Sequence, residues 1–120
     1  MDRDAAEAFA EEWIAAWNSH DLERVLSHYA DEFEMWSPLI ASRWNESRGV
    51  LRGKDAIRPY WKQGLSSFAS NQPLHFTLRG VRIGVQSITI EYRNAAEIDV
   101  AEVLFFDGQG QIIRGVAHYS

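Results

Sequence analysis

Glu102 is the residue best suited by its neighbours to acid–base chemistry, because it is the only acid on its side of the alternating segment 98–106. A four-residue loop at 107–110 would pair Phe106 with Gln111, and counting back from that pair puts Glu102 opposite Gly115. Side chains alternate along a strand, so the same face would carry Val100, Leu104, Ala117 and Tyr119. A carboxyl group beside the space left by a glycine would be desolvated, which raises its pKa. The sequence therefore predicts Glu102 as a catalytic proton donor or base.

Tryptophans could surround this acid in one of two ways. Trp13 and Trp17 are four residues apart in the first predicted helix, and Trp61 lies on the apolar face of the third. All three carry indole N–H groups, which need hydrogen-bond acceptors when they are buried. They would either line a ligand pocket or form plain core, and in the second case an indole N–H or a tyrosine hydroxyl would simply hold Glu102 in place. We predict the pocket, with an apolar small molecule as its ligand. Its remaining walls are predicted to be Met35, Ser37, Leu65, Gly115, Ala117 and Tyr119.

The periodicity of apolar residues predicts the elements that would position these side chains. Helices are expected at 4–18, at about 22–30 and at 54–68. Strands are expected at 33–37, 74–83, 87–93, 98–106 and 112–119. Residues 38–53 are expected to be irregular, and Pro59 is expected to delay the start of the third helix or to bend it. Three helices followed by antiparallel strands predict one α+β domain over residues 1–120, with the helices on one face of a curved sheet.

The outward face of the last hairpin is also largely apolar. Three helices can cover only one side of a sheet, so a second copy of the chain is expected to cover the other. The predicted homodimer face consists of Val103, Phe105, Arg114, Val116 and His118. His118 is predicted to lie opposite Asp99 as a structural pair. Trp36 points away from Met35 and Ser37, so it is assigned to the same outer face.

Composition limits the classes of partner. The net charge is −5 and the twelve Lys and Arg residues are scattered, which argues against nucleic acid or an anionic membrane as a partner. The sequence has no cysteine, and it shows no apolar run typical of a signal peptide or a membrane span, so we expect a cytoplasmic protein. The four histidines lack the spacing of metal ligands, and no metal or cofactor is predicted.

Several short motifs are distributed over nearly the whole chain, at 17–22, 29–32, 37–38, 53–57, 60–61, 102–107 and 110–112. With these motifs the chain resembles the SnoaL-like branch of the nuclear transport factor 2-like superfamily. The resemblance implies a cystatin-like cone, in which a curved antiparallel sheet wraps around three N-terminal helices and a pocket opens at one end. The superfamily contains both enzymes and non-enzymes, so the resemblance alone does not assign an activity.

Ketosteroid isomerase is the most useful relative within this resemblance. Its general-base aspartate, which precedes a proline, falls on Ser37, and the tyrosine of its first helix falls on Trp13. Its protonated aspartate falls on Glu102, so one catalytic group of three is retained and steroid isomerisation by that mechanism is not expected. Polyketide cyclase relatives have a catalytic aspartate near the end of the last strand, where residues 114–119 contain no acid.

Two functions therefore stay open. The first is a cofactor-free isomerase, cyclase or dehydratase, in which Glu102 moves a proton on an apolar, carbonyl-bearing substrate. The second is a non-catalytic module of the same fold that binds a ligand or a protein. The acid beside a space favours the first function, and the missing base at Ser37 favours the second.

Overall fold

Four helices pack against a six-stranded sheet in the computed structural model, which describes residues 1–44, 46–66 and 73–120. The helices are α1 (Arg3–Asn18), α2 (Leu22–Leu26), α3 (Pro38–Arg43) and α4 (Lys54–Ser66). The strands are β1 (Tyr29–Trp36), β2 (Val50–Arg52), β3 (Thr77–Gly84), β4 (Ser87–Arg93), β5 (Asp99–Phe106) and β6 (Ile112–Tyr119). The α+β class is as predicted. Among the described helices, none is both long and apolar enough to cross a membrane.

The first two helices begin at aspartates that accept otherwise free backbone N–H groups. The side chain of Asp2 accepts from Ala5, and that of Asp21 caps the start of α2. The prediction that α2 continues to residue 30 was wrong, because α2 ends at Leu26 and Tyr29 already belongs to the sheet. The Ile112 N–H donates to the His28 carbonyl at 2.9 Å, so pairing with β6 competes successfully with further helix.

The segment 38–53 was wrongly expected to be irregular, since it contains α3 and β2. Ser37 caps α3 by accepting the Leu39 N–H, and Pro38 occupies the first turn, where its missing N–H costs nothing. Pro59 lies inside α4 without delaying its start at Lys54. The predicted end of this helix at residue 68 lies outside the described residues.

The strands are ordered β2-β1-β6-β5-β4-β3 across the sheet. Neighbouring strands are antiparallel with one exception, because β1 runs parallel to β6. The sheet is therefore mixed, whereas a purely antiparallel sheet was predicted. The chain between β1 and β6 includes every other strand, so it is long enough for the crossover that parallel pairing requires.

The register of β5 and β6 differs by two residues from the prediction. Glu102 lies opposite Ala117, and Gly115 lies opposite Leu104. The hairpin closes between Asp107 and Gln111, and a bulge near Phe105 and Phe106 adds a further one-residue shift. A shift of two residues leaves Glu102 on the inner face, because side-chain direction alternates with a period of two.

The predicted pairing of His118 with Asp99 was wrong for the same reason. His118 lies opposite Ala101, whereas the Asp99 carboxylate accepts from the Arg93 guanidinium at 3.0 Å. The Arg93 guanidinium beside Asp99 lowers the pKa of that carboxyl group.

Candidate active site

A cavity of about 380 Å³ lies between the helices and the inner face of the sheet. Its volume falls within the range of roughly 300–1,000 Å³ that is common for small-molecule sites. Seven residues predicted for the site contribute to its walls: Trp17, Met35, Ser37, Trp61, Leu65, Glu102 and Tyr119. The structure therefore brings together side chains from α1, α4 and three strands that are far apart in sequence.

Three predicted wall residues lie elsewhere. Trp13 is 1% exposed within the core, and its indole N–H donates to the Tyr29 hydroxyl at 3.1 Å. Gly115 and Ala117 do not contribute to the described walls of the cavity. A Cβ at Gly115 would lie 3.1 Å from the Met35 sulfur, so the space predicted beside this glycine is already filled.

Glu102 combines burial with a single strong hydrogen bond. The residue is 6% exposed, and the Tyr92 hydroxyl donates to Oε1 at 2.7 Å. Burial raises the pKa of Glu102 from its ordinary value of 4.5 to about 7, although the hydrogen bond from Tyr92 opposes that rise. Both protonation states are therefore populated near neutral pH, as a proton-transfer group requires.

Tyr92 remains a neutral hydrogen-bond donor beside this acid. Burial, and then the charge of Glu102, raise the pKa of Tyr92 well above its ordinary value. The same two causes raise the pKa of Tyr119, which also contributes to the cavity wall. Neither hydroxyl ionises near neutral pH, whereas Glu102 titrates there.

Trp17, another residue of the cavity wall, has a donor that makes no hydrogen bond with the described residues. Its indole nitrogen is buried and has no hydrogen-bond partner among the described residues. The indole ring is fixed by edge contacts with Trp61, whose ring centroid lies 5.0 Å away. A buried donor without a partner costs roughly 1–3 kcal/mol.

Ser37 has a structural task on the cavity wall. Its hydroxyl accepts the Leu39 N–H at 3.2 Å, and its own N–H donates to the Gly49 carbonyl at 2.9 Å. A hydrogen bond with Ser37 also lowers the pKa of Tyr119, against the larger effect of burial. Ser37 thus positions α3 and Tyr119 rather than standing free for a ligand.

One wall is held in place by side chains at the end of α1. The Asn18 amide donates to the Phe76 carbonyl at 2.9 Å, and its oxygen accepts the Phe76 N–H at 2.7 Å. His20 Nε2 lies 2.7 Å from the Leu74 carbonyl. These contacts fix the two apolar side chains of Leu74 and Phe76 on the cavity wall.

Sequence reasoning missed several wall residues, among them Arg43, Trp44, Tyr60, Leu74, Phe76 and Tyr92. Tyr92 could have been found, since it shares the inward parity of Ile88 and Ile90 in a strand that was predicted correctly. Arg43 could not, because α3 itself was missed. Among the described residues, no group of three or more potential metal ligands is arranged to hold an ion.

Residues 10–120 match the sequence pattern of the SnoaL-like domain. The chain belongs to the SnoaL-like family. A SnoaL-like protein of unknown function from Burkholderia thailandensis is 40% identical and superposes with a TM-score of 0.92, covering 99% of this chain and 97% of that one. No curated protein matches the sequence. The predicted resemblance is thus confirmed.

More distant structures share the fold of this SnoaL-like protein. A protein of unknown function with a cystatin-like fold from Methylobium petroleophilum is 20% identical, with a TM-score of 0.76 over 100% of this chain and 78% of that one. A protein provisionally named an isomerase of the SnoaL-like family, from Agrobacterium tumefaciens, is 18% identical, with a TM-score of 0.73 over 96% and 97%. At this identity the likeness shows the cystatin-like fold, as predicted.

Proposed function

We propose that this SnoaL-like protein binds an apolar, carbonyl-bearing small molecule and transfers a proton on it, as an isomerase, cyclase or dehydratase without a cofactor. The observation that carries the proposal is Glu102, a buried acid on a cavity wall whose pKa lies near 7. Trp17 contributes to the same cavity wall and has a buried indole N–H without a partner among the described residues, which in this proposal is the donor for a carbonyl oxygen.

The proton transfer follows from these two groups. Ionised Glu102 takes a proton from the carbon next to the carbonyl group, and the electron pair of that C–H bond forms an enolate. Negative charge develops on the enolate oxygen, where a hydrogen bond from Trp17 stabilises it. Protonated Glu102 then returns the proton to the same carbon or to a conjugated one. In the second case the double bond has moved.

Apolar side chains form part of the cavity wall. Trp61, Phe76 and Leu74 offer no competing polar groups there, which strengthens a hydrogen bond made beside them. The provisional name of the Agrobacterium tumefaciens protein is consistent with an isomerase, although that protein shares only the fold with this chain.

A second candidate function is ligand binding without turnover. The observation in its favour is that the Tyr92 hydroxyl already satisfies Glu102 at 2.7 Å, as in a structural acid. The position of the general base in ketosteroid isomerase is taken here by Ser37, a helix cap. In this case the cavity would hold its ligand and Glu102 would only fix the sheet.

Deuterium exchange separates the two functions without knowledge of the natural substrate. The purified protein is incubated in D2O with cyclohexanone or 2-tetralone, and proton NMR follows the loss of the signals next to the carbonyl group. We expect exchange above the buffer rate, rising with pH and levelling off above about 7 as Glu102 ionises. Glu102→Gln should abolish the excess rate while the ketone still binds.

Two further variants make the exchange experiment specific. Glu11→Gln changes an exposed glutamate of α1 and should leave the rate unaltered. Tyr92→Phe removes the hydrogen bond that lowers the pKa of Glu102, so the midpoint of the pH profile should move upward. Exchange in Glu102→Gln at the rate of the unmodified protein would exclude Glu102 as the base and leave the binding function.

A further inference from the structure

We infer that the ligand of this cavity carries a carboxylate, which Arg43 binds at the cavity wall. The inference rests on the proposed function and deepens it by naming the class of ligand. The ligand would have an apolar body, a carbonyl group near Glu102 and an anionic group near Arg43.

Arg43 is placed at the cavity by α3. It lies in the last turn of this helix, whose start is fixed by the cap at Ser37 and by the bond from the Ser37 N–H to the Gly49 carbonyl. The side chain is exposed, so a ligand that enters the cavity can reach it. Among the wall residues that the structure describes, Arg43 is the only arginine or lysine.

The guanidinium of Arg43 has no acid of the protein to neutralise it. No Asp or Glu among residues 1–44, 46–66 and 73–120 lies within 4.0 Å of it. Two arginines nearby in sequence are paired, Arg48 with Glu46 and Arg52 with Glu34. Arg43 therefore differs from Arg48 and Arg52, the two other arginines of this segment.

The charge of Arg43 acts on the interior of the cavity. It lowers the pKa of two wall hydroxyls, those of Tyr60 and Tyr119, against the larger rise that burial causes. At Tyr60 the effect of Arg43 exceeds that of the Glu102 charge, so an anionic ligand group near this hydroxyl would meet a favourable potential, whereas at Tyr119 the charge of Glu102 has the larger effect.

A carboxylate fits this site better than a diffuse negative charge does. Guanidinium presents a planar fork of N–H donors that matches the two oxygens of a carboxylate. The neighbouring wall residues Trp44, Tyr60 and Trp61 offer aromatic surface for the apolar body.

A matched pair of probes tests the inference directly. 2-Naphthylacetate and 2-naphthylacetamide share ring and length and differ in charge. Their binding can be followed by quenching of the wall tryptophans or by calorimetry. We expect the acetate to bind about three- to tenfold more tightly than the amide, the effect of a partly exposed charged hydrogen bond. Added salt should weaken binding of the acetate alone.

Variants assign that preference to one side chain. Arg43→Gln should remove the preference for the acetate without weakening the amide, and Arg43→Lys should keep part of it. Arg79→Gln is the matched control, since Arg79 is exposed, has no acid within 4.0 Å among the described residues and does not contribute to this cavity. Circular dichroism and urea unfolding confirm that each variant folds.

Equal affinity of the unmodified protein for the two probes would overturn the inference, as would an unchanged preference in Arg43→Gln. Binding of neither probe would overturn it as well. The deuterium exchange experiment uses uncharged ketones, so it decides the proposed proton transfer independently of the result with the naphthyl probes.

Discussion

At the scale of single residues, the position of Glu102 imposes a cost on folding. Burial raises its pKa from 4.5 to about 7, so the folded state holds a proton that the unfolded chain has already released at intermediate pH. The acid is therefore tolerated in its neutral form and destabilising in its charged form. Such a cost is typical of groups retained for chemistry or for specificity.

The stability of the protein should consequently depend on pH through Glu102. The contribution of Glu102 to the free energy of unfolding is greatest below about pH 4.5 and decreases as its carboxyl group ionises in the unfolded chain. Above pH 7 this contribution has fallen by about 3 kcal/mol. Glu102→Gln cannot ionise, so its free energy of unfolding relative to the unmodified protein should rise by that amount over this range. Urea unfolding at pH 4, 5.5 and 8 measures it.

Glu11→Gln serves as the control, since it also removes one acid but from an exposed position. A pH-independent difference between Glu102→Gln and the unmodified protein would contradict the raised pKa of Glu102.

The sequence predicted those residues of the site whose signal is local. Glu102 was recognisable as one acid among alternating apolar residues, and Trp17 and Trp61 by their helical spacing. The inward direction of Tyr92 could be read from its parity in β4, but its contact with Glu102 depends on the register between β4 and β5, in which Glu102 lies opposite Ile90. Gly115 was misassigned because the closure of the hairpin and the adjacent bulge each shifted the register by one residue.

At the scale of elements, the predictions succeeded for long periodic segments and failed at short ones. The helix α1 and the strands β4 and β6 lie where apolar periodicity placed them. The short helix α3 and strand β2 bury few side chains of their own and depend on a cap at Ser37 and on pairing with β1. Tyr29 was predicted to be helical but lies in a strand, because it pairs with a distant part of the chain. The local periodicity of apolar residues gives no information about such pairing.

Asn18 shows how one side chain can tie two elements together. Its amide makes both hydrogen bonds that a neighbouring strand would otherwise make to Phe76. Asn18→Ala should lower the free energy of unfolding by about 1–3 kcal/mol, because two partly buried backbone groups lose their partners. The Phe76 amide should also lose protection in hydrogen exchange.

Asn18→Asp is the informative companion variant. It keeps an oxygen that accepts the Phe76 N–H, but it places a second oxygen against the Phe76 carbonyl. We expect retained protection of the Phe76 amide with lower stability. Unchanged stability and unchanged exchange in both variants would show that this wall is held by packing alone.

At the scale of the whole molecule, we propose that two copies associate through the outer face of the sheet. Val103 and Val116 lie opposite each other there, next to Phe105, and are only half-buried in the single chain. Trp36 is 41% exposed, with the Arg114 guanidinium 5.5 Å from its ring centroid. This apolar centre with a charged edge is typical of a symmetric protein interface.

The dimer is tested by substituting one residue of that face. Val103→Glu places a charge at its centre and should give a monomer with an unchanged circular dichroism spectrum, measured by sedimentation velocity at high micromolar concentration. Val85→Glu, a change at a turn residue that is 92% exposed, should leave the dimer intact. A monomeric unmodified protein at these concentrations would exclude the interface.

The hydrogen-bonded pair of Glu102 and Tyr92 lies on β5 and β4, each of which has a neighbouring strand on both sides. Trp17, Arg43 and Trp61, by contrast, are carried by helices. Substitutions in the helices of related proteins can therefore change the shape of the cavity without moving Glu102. If the proposed proton transfer holds, relatives with this fold would be expected to differ more in the ligand that they bind than in the acid that transfers the proton.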